Sequence, residues 1–227
     1  MSISNWIEAF RPADGAPPQT LGAFMRWCLS GAWPALALSA FLSAAGGGIE
    51  AGTALILGLV VDSAAASSPE SYFSGSNTVL LVGCVAFFLI ARPVLFGLSA
   101  TANAVIVQPN VTPLVLSRLH RWTLGQAVTF FDDDFAGRIA QKQMQTARAV
   151  TEVAAEMINV VAFALASLLG SLVLLTSIDA RMTGLFLIWL VGYFAMIRWF
   201  LPRVRVRAAG RASARAMVSG QIVDTIT

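Results

Sequence analysis

The segment FFDDDFAG is the part of the chain richest in groups that could do chemistry. It contains, in order, Phe130, Phe131, Asp132, Asp133, Asp134 and Gly137. The two phenylalanines offer rigid apolar anchors for a partner, the aspartates can cap a helix or accept hydrogen bonds, and the glycine permits a sharp turn. The residues alone are compatible with a solvated turn, a docking surface or a metal site. The metal site fits least well, because consecutive side chains point in different directions.

Glu50 and Arg92 are the only formal charges well inside long apolar stretches. A charge within a membrane is costly and is a functional-site hypothesis by default. If Asp62 and Asn77 mark the outer ends of two membrane helices, a rise of about 1.5 Å per residue places the two charges roughly 18 Å and 22 Å deep. We therefore expect them to pair. The pair could clamp two helices together or line a polar substrate path, unless the helices end elsewhere.

No other residue pattern indicates catalysis. The sequence has no Gly-x-x-x-x-Gly-Lys-Ser/Thr phosphate loop, so we expect this chain to bind no ATP in that way. His120 lies among cytoplasmic charges, and Cys28 and Cys84 lie in apolar stretches, which matches no metal or nucleophile spacing. We expect no catalytic residue, metal or cofactor in the chain itself. A membrane enzyme is the least favoured function class.

The composition predicts the elements that hold these residues. The 227 residues are 57% hydrophobic and 12% charged, against about 25% charged residues in an average soluble domain. Too few polar side chains remain to cover a soluble surface. Stretches almost free of charge, long enough to cross a bilayer, predict four spans at about residues 32–61, 77–107, 157–178 and 182–201. The predicted fold class is an all-α, multi-pass membrane protein.

The positive charges predict which side of the membrane each loop occupies. They cluster before the first span, between the second and third, and after the fourth, whereas the two other turns hold only Arg181. By the positive-inside rule the N-terminus, the middle loop and the C-terminal end are cytoplasmic. The net charge of +3 is thereby explained without nucleic acid. Residues 1–31 are predicted to form a cytosolic tail with a short interfacial helix at Leu21 to Leu29, and residues 32–227 the membrane domain.

Two spans are predicted to continue as helices into the cytoplasm. The chain from Val94 to Gln126 has no turn signal where the bilayer ends, although Pro109 and Pro113 are expected to kink it. After the acidic run, apolar or small residues recur on one helical face. They are Ile139, Gln143, Ala147, Val150, Ala154 and Met157. Within the first span, a cluster of glycines lies beside Glu50, and two of them have the spacing that permits close helix contact. The cluster is Gly46, Gly47, Gly48 and Gly52, and the spaced pair is Gly48 and Gly52. It predicts tight packing or a bend, with a gating hinge as the alternative.

This arrangement resembles the transmembrane domain of ABC exporters of the type 1 (type IV) fold, in which each half has six long helices before a nucleotide-binding domain. Four segments carry the resemblance, in order. They are LILGLVVDSA, LHRWTLGQAVTFFDDDFAGRIAQ, TSIDARMTGLFLIWL and GQIVDTIT. The resemblance covers the chain from about Ala32 and corresponds to four of the six helices. Thr146 and Asp224 depart from the aspartate and the glutamate that the family usually has.

The resemblance implies roles that the residues alone do not give. Phe130 to Gly137 would hold the coupling helix that docks on the nucleotide-binding domain, and that partner domain would bind ATP and Mg. The complete protein would dimerise with a second transmembrane half, identical or different, and export a substrate. The chain ends at Thr227, short of two spans and the ATPase, so we expect a truncated product or an excised fragment.

An alternative from another class is a four-span membrane scaffold or assembly factor. Its basic cytoplasmic extensions would bind a protein partner or anionic lipid. A phosphate-loop motif encoded downstream would favour the exporter over the scaffold. Neither the transported substrate nor the direction of transport is encoded in a recognisable pattern.

Overall fold

The computed structural model describes residues 6–67, 72–73, 75–132 and 136–226, and all regular structure within these ranges is helical. The α-helices are α1 (Leu21–Leu29), α2 (Trp33–Ala66), α3 (Ser76–Ala86), α4 (Arg92–Thr101), α5 (Gln108–Leu124), α6 (Val128–Asp132), α7 (Ala136–Glu156), α8 (Phe163–Ile178) and α9 (Ala180–Ile226). Three π-helical segments, Phe87–Ala91, Ala102–Val107 and Met157–Ala162, join α3 to α4, α4 to α5 and α7 to α8. The predicted all-α membrane fold class is confirmed.

In the part of the chain that the structure describes, four helices are long and apolar enough to cross a membrane. They are Trp33–Ala66, Asn77–Leu124, Ala136–Ile178 and Ala180–Ala208, and each contains or overlaps one predicted span. No more than 11% of the most apolar window of any of them is buried within this chain. Lipid or further helices must therefore cover these surfaces, because exposed apolar area of that extent is unfavourable in water.

The prolines of the second membrane helix are accommodated without a break. Each of the first two π-helical segments ends just before an X-Pro pair, at Pro93 and at Pro109. There the N–H of Arg92 donates to the carbonyl of Phe87, and that of Gln108 to Asn103, both five residues earlier. Proline has no N–H to donate, so an ordinary helical hydrogen bond is missing at each of these positions. The π-helical turn beside it, with its bonds to carbonyls five residues earlier, keeps the helix continuous. Helix α3 thus continues through α4 into α5.

The buried core lies mostly outside the most apolar windows, where α1 and α7 pack against α5. Most of its members come from four helices and the adjoining π-helical segments, and Ala32 lies in the turn between α1 and α2. They include Cys28, Ala32, Leu36, Val107, Val111, Leu114, Val115, Ala147, Val150, Ala154 and Ile158. Burying a Val or Leu side chain stabilises a fold by roughly 1.5–3 kcal/mol. The α7 face predicted from the sequence supplies several of these residues.

The close packing predicted for the glycine cluster of α2 is found at Gly47. A side chain on Gly48 or Gly52 would meet nothing within 4 Å among the described residues, so these two glycines make no close contact there. A Cβ on Gly47 would instead overlap the carbonyl oxygen of Phe163, and a Cβ on Gly170 would lie 2.7 Å from that of Ala51. Successive residues of a helix point about 100° apart. The small residues of α2 that allow the close helix contact are therefore Gly47 and Ala51.

The chain divides into two compact units, residues 1–171 and 172–227. Within the second unit, the Asp179 carboxylate accepts the N–H of Arg181 at 2.8 Å and caps the start of α9. Trp189 stacks on Phe186 and Tyr193 with ring centroids 5.9 and 5.6 Å apart, and Trp189 and Tyr193 are exposed, as lipid-facing or interfacial aromatic residues would be. Helix α9 continues without interruption through the basic segment.

Candidate functional site

Helices α5 and α7 form an antiparallel hairpin held by polar contacts. The hydroxyl oxygens of Thr112 and Thr151 are 2.9 Å apart, and Gln143 Nε2 donates to Thr123 Oγ1 at 2.7 Å. Thr123 and Gln143 are each ten residues from position 133. Residues 130–132 and 136–137, at the described ends of the connection, therefore lie at the tip of this hairpin.

Two aromatic rings are exposed at the tip. Phe130 and Phe131 lie in α6, with 43% and 39% of their surface accessible, and their rings meet edge to face with centroids 5.3 Å apart. Large apolar rings presented together on a surface are typical of a docking site. Asp132 ends α6, and Asp133 and Asp134 lie outside the described residues. Gly137 is the second residue of α7 and is helical, instead of forming the sharp turn predicted for it.

Glu50 and Arg92 lie together within the membrane helices. Arg92 Nη2 donates to Glu50 Oε1 at 2.7 Å and links α2 to α4. The two side chains are 32% and 35% exposed in the chain alone. The Arg92 guanidinium also lies over the Phe96 ring, 5.7 Å from its centroid, in the geometry of a cation–π contact. The contact exists as expected, and its role as clamp or path stays a prediction.

A third polar site, centred on Arg118, was not predicted from the sequence. Arg118 is only 2% exposed and directs all three guanidinium nitrogens at oxygen atoms of the N-terminal region. Nη1 donates to the carbonyls of Trp27 (2.7 Å) and Cys28 (2.9 Å) and to the hydroxyl of Ser30 (2.9 Å), Nη2 to the carbonyl of Ser30 (2.7 Å), and Nε to that of Arg11 (3.1 Å). We call this set of contacts the arginine clasp.

The clasp satisfies the end of α1. The last carbonyls of a helix lack partners within the helix and carry partial negative charge, so a cation there is favourable. Gly31 turns the chain at this point with φ of 84°, and a Cβ on it would lie 3.0 Å from the Arg11 side chain. Nearby, Ser117 Oγ donates to the carbonyl of Ala9 at 2.8 Å. The described part of the N-terminal segment is therefore fixed to α5.

The sequence gives no direct signal for the clasp, because its acceptors are main-chain atoms and one hydroxyl. In the sequence, Arg118 is one of several positive charges predicted to be cytoplasmic. The clasp also affects the pKa of the neighbouring Cys28 thiol. Burial raises the pKa of the Cys28 thiol to about 11, although the nearby Arg118 guanidinium acts to lower it. The thiol is therefore protonated at neutral pH. Among the described residues, no three His, Cys, Asp or Glu side chains cluster as metal ligands would.

Comparison with known proteins agrees with this architecture. Residues 36–227 match the family described as the ABC transporter transmembrane region. A protein of Haemophilus influenzae named "Uncharacterized ABC transporter ATP-binding protein" is 30% identical over 228 residues, which cover 98% of this chain and 37% of that protein. The chain thus spans little more than a third of the length of that relative. No solved structure matches the chain. The sequence resemblance is confirmed, and this multi-pass chain belongs to the family of ABC transporter transmembrane regions.

Proposed function

We propose that the chain forms part of the substrate pathway of an ATP-driven exporter in the plasma membrane. Family membership and the four apolar helices support a transport role. The distribution of positive charges supports a cytoplasmic N-terminus and a cytoplasmic hairpin tip. In this proposal a nucleotide-binding domain supplies ATP and Mg, and a second transmembrane half completes the pathway.

The observation that carries the proposal is the exposed Phe130–Phe131 pair at the end of a braced hairpin. Both arms of the hairpin are continuous with membrane helices, since α5 follows from α3 and α4, and α7 runs on into α8. A partner that grips the two rings can therefore move two spans together. The threonine contacts and the packing of α5 on α7 resist bending between the tip and the membrane. Nucleotide-driven closure would reach the pathway by this route.

The test is the substitution Phe131→Ala in the transporter assembled with its nucleotide-binding domain. Membrane insertion and dimer yield should be unchanged, because the ring is not part of the buried core. Substrate-stimulated ATP hydrolysis should fall about 30-fold, since loss of a docking hot spot is typically 2 kcal/mol or more. Phe73→Ala is the matched control, because Phe73 is 75% exposed in the turn between the first two spans and should not affect hydrolysis.

Two results would contradict the proposal. If Phe131→Ala aggregates or fails to insert while coupling in the surviving fraction is unchanged, the rings are packing residues. If both phenylalanine variants behave alike and the wild-type chain binds vesicles of anionic lipid without any nucleotide-binding domain, the scaffold alternative replaces the exporter.

A further inference from the structure

An apolar groove of about 610 Å³ lies between α1, the start of α2 and the end of α7 with the π-helical segment that follows it. Each of these three walls contributes four residues, and the indole N–H of Trp33 is the one polar side-chain group among them. The residues used below are Gly22, Met25, Trp33, Ala37, Val153 and Met157. The volume is within the range of small-molecule sites, about 300–1,000 Å³.

The groove lies where the first and third spans begin. Its residues on α2 belong to the first two turns of that helix, which cover about 10 Å of its length. Its residues on the third wall mark the point where the polar helix α7 passes into the apolar stretch before α8. Trp33 is 51% exposed at this end, as a tryptophan at a membrane surface would be. The groove therefore runs from the membrane surface into the hydrocarbon.

Helix α1 forms a wall of the groove without filling it. Its other side packs on α5, where Cys28 is fully buried and Phe24 and Trp27 cover the core. The arginine clasp holds the end of the helix through the carbonyls of Trp27 and Cys28. Gly22 faces open space, since a Cβ there would meet nothing within 4 Å. The apolar surface of the groove is thus left for another molecule to cover.

The charge beside this opening is positive. Arg26 is exposed and is four residues, about one helical turn, from Gly22. It forms no hydrogen bond or ion pair with another described residue. The nearest acids in the third wall, Glu152 and Glu156, instead line a second cavity of about 270 Å³ between α7 and α5. A free guanidinium at a membrane surface attracts the headgroups of anionic lipids.

The lining restricts what can occupy the groove. A site for a water-soluble ligand normally has a few polar groups that fix its orientation, and this groove has one indole N–H. Its walls are continuous with the exposed apolar surfaces of the first and third spans. Lipid chains that cover those spans can therefore enter the groove without crossing water.

We propose that the groove binds an acyl chain of an anionic phospholipid. The phosphate of the lipid contacts Arg26, and the chain lies along Met25, Ala37 and Met157. The cytoplasmic leaflet is assigned from the orientation given in the proposed function, on which this part of the inference rests. A lipid held in this way would link α1 to the first and third spans.

Photolabelling with a reactive lipid tests the proposal. The probe is phosphatidylglycerol with a diazirine in one acyl chain, in vesicles of phosphatidylcholine that contain the chain alone or the assembled transporter. Phosphatidylcholine with the same diazirine chain is the zwitterionic comparison. In both preparations, the anionic probe should label a peptide with residues 153–158 at least fivefold more than the comparison lipid does, as measured by mass spectrometry.

Two substitutions that fill the groove identify the place of the acyl chain. Gly22→Trp and Ala37→Trp should each lower labelling of the 153–158 peptide at least fivefold, and neither alters that peptide. Gly83→Trp is the matched control, because Gly83 is also exposed in open space but lies in the second span, away from the groove. It should leave the labelling unchanged.

A charge substitution identifies the place of the headgroup. Arg26→Gln should lower labelling by phosphatidylglycerol to the level given by phosphatidylcholine. Arg181→Gln, in the exposed turn before the fourth span, should have no effect. Equal labelling by the two lipids in the wild-type chain would overturn the proposal, since Arg26 would then select no headgroup.

Equal labelling of the Gly22→Trp and Gly83→Trp proteins would also overturn it. If Gly22→Trp does not fold, unchanged labelling of Ala37→Trp has the same meaning. Loss of the label on assembly of the transporter would show that protein, instead of lipid, occupies the groove. Labelling of the chain alone needs neither ATP nor a nucleotide-binding domain, so its failure leaves the coupling result with Phe131→Ala standing, and failure of that coupling result does not change the labelling.

Discussion

Two arginines on one continuous helix differ in how far they are buried and in the groups that accept their hydrogen bonds. Arg92 in α4 keeps about a third of its surface exposed and binds one carboxylate and one aromatic ring. Arg118 in α5 is almost fully buried and has no acid partner among the described residues, and its donors go to four main-chain carbonyls and a hydroxyl. The first contact joins two spans through charge. The second joins the N-terminal segment to α5 through hydrogen bonds that are mostly to main-chain carbonyls.

The difference determines how each site responds to mutation. Both charges of the Glu50–Arg92 pair can be removed together, which leaves no uncompensated charge behind. The acceptors of the clasp are mostly main-chain atoms, which substitution cannot remove. Loss of Arg118 therefore leaves buried or partly buried carbonyls without donors, and a buried carbonyl without a donor costs more than the lost bond was worth.

The largest effect is expected for Arg118→Met, which keeps the length of the side chain and removes the donors. We expect the chain to lose about 3 kcal/mol of stability, in the range for breaking a buried charged contact. Thermal unfolding in detergent measures this loss. Limited proteolysis should also cut the N-terminal segment, residues 6–20, well before the wild type is cut.

Arg121→Met is the matched control, because Arg121 lies one turn away on the same helix and is exposed. It should change stability by less than about 0.5 kcal/mol. Arg118→Lys should recover only part of the loss, since an ammonium is a point charge and lacks the planar fork of donors. Equal stability of the Arg118 and Arg121 variants would show that the clasp does not stabilise the fold.

A smaller effect is expected at the Glu50–Arg92 pair. Glu50→Gln and Arg92→Gln should each destabilise the chain, and the double variant should lose less than either single variant because neither charge is left alone. We expect a coupling energy of about 1 kcal/mol, since both groups are partly exposed in the chain alone. Unfolding of the four proteins in the same detergent gives the value. Strictly additive losses would mean that the contact contributes no coupling.

The comparison also explains which features could be predicted from the sequence. Long apolar stretches and the sorting of positive charge predict the spans, because hydrocarbon thickness constrains composition directly. Glu50 and Arg92 are recognisable for the same reason, as rare charges in apolar surroundings. Phe130 and Phe131 are recognisable as a docking candidate because no membrane or core is available at that point to bury them.

Other features depend on contacts that composition does not encode. Gly47 and Gly48 are neighbouring residues of the same type. Of the two, only Gly47 contacts Phe163, because the rotation of the helix determines which residue points at the neighbouring helix. Arg118 and Arg121 differ in the same way, as one turns toward α1 and the other toward solvent. No sequence pattern marks Asn103 either, whose buried Oδ1 accepts no hydrogen bond from any described residue.

The smallest effect concerns Cys28, which reports opening of the clasp without unfolding. With a pKa of about 11, roughly one thiol in 10,000 is ionised at pH 7, and the thiolate is the reactive form. In a Cys84→Ala background, maleimide labelling of the folded chain should therefore be slow and should quicken as pH rises toward 11.

Arg118→Met has two opposed effects on this labelling. Loss of the guanidinium alone would raise the pKa further and slow labelling, whereas loss of burial, the larger cause of the shift, would lower the pKa and speed labelling. We expect faster labelling, with Arg121→Met unchanged. Slower labelling in Arg118→Met would mean that α1 stays in place without its arginine, and that core packing alone holds it there.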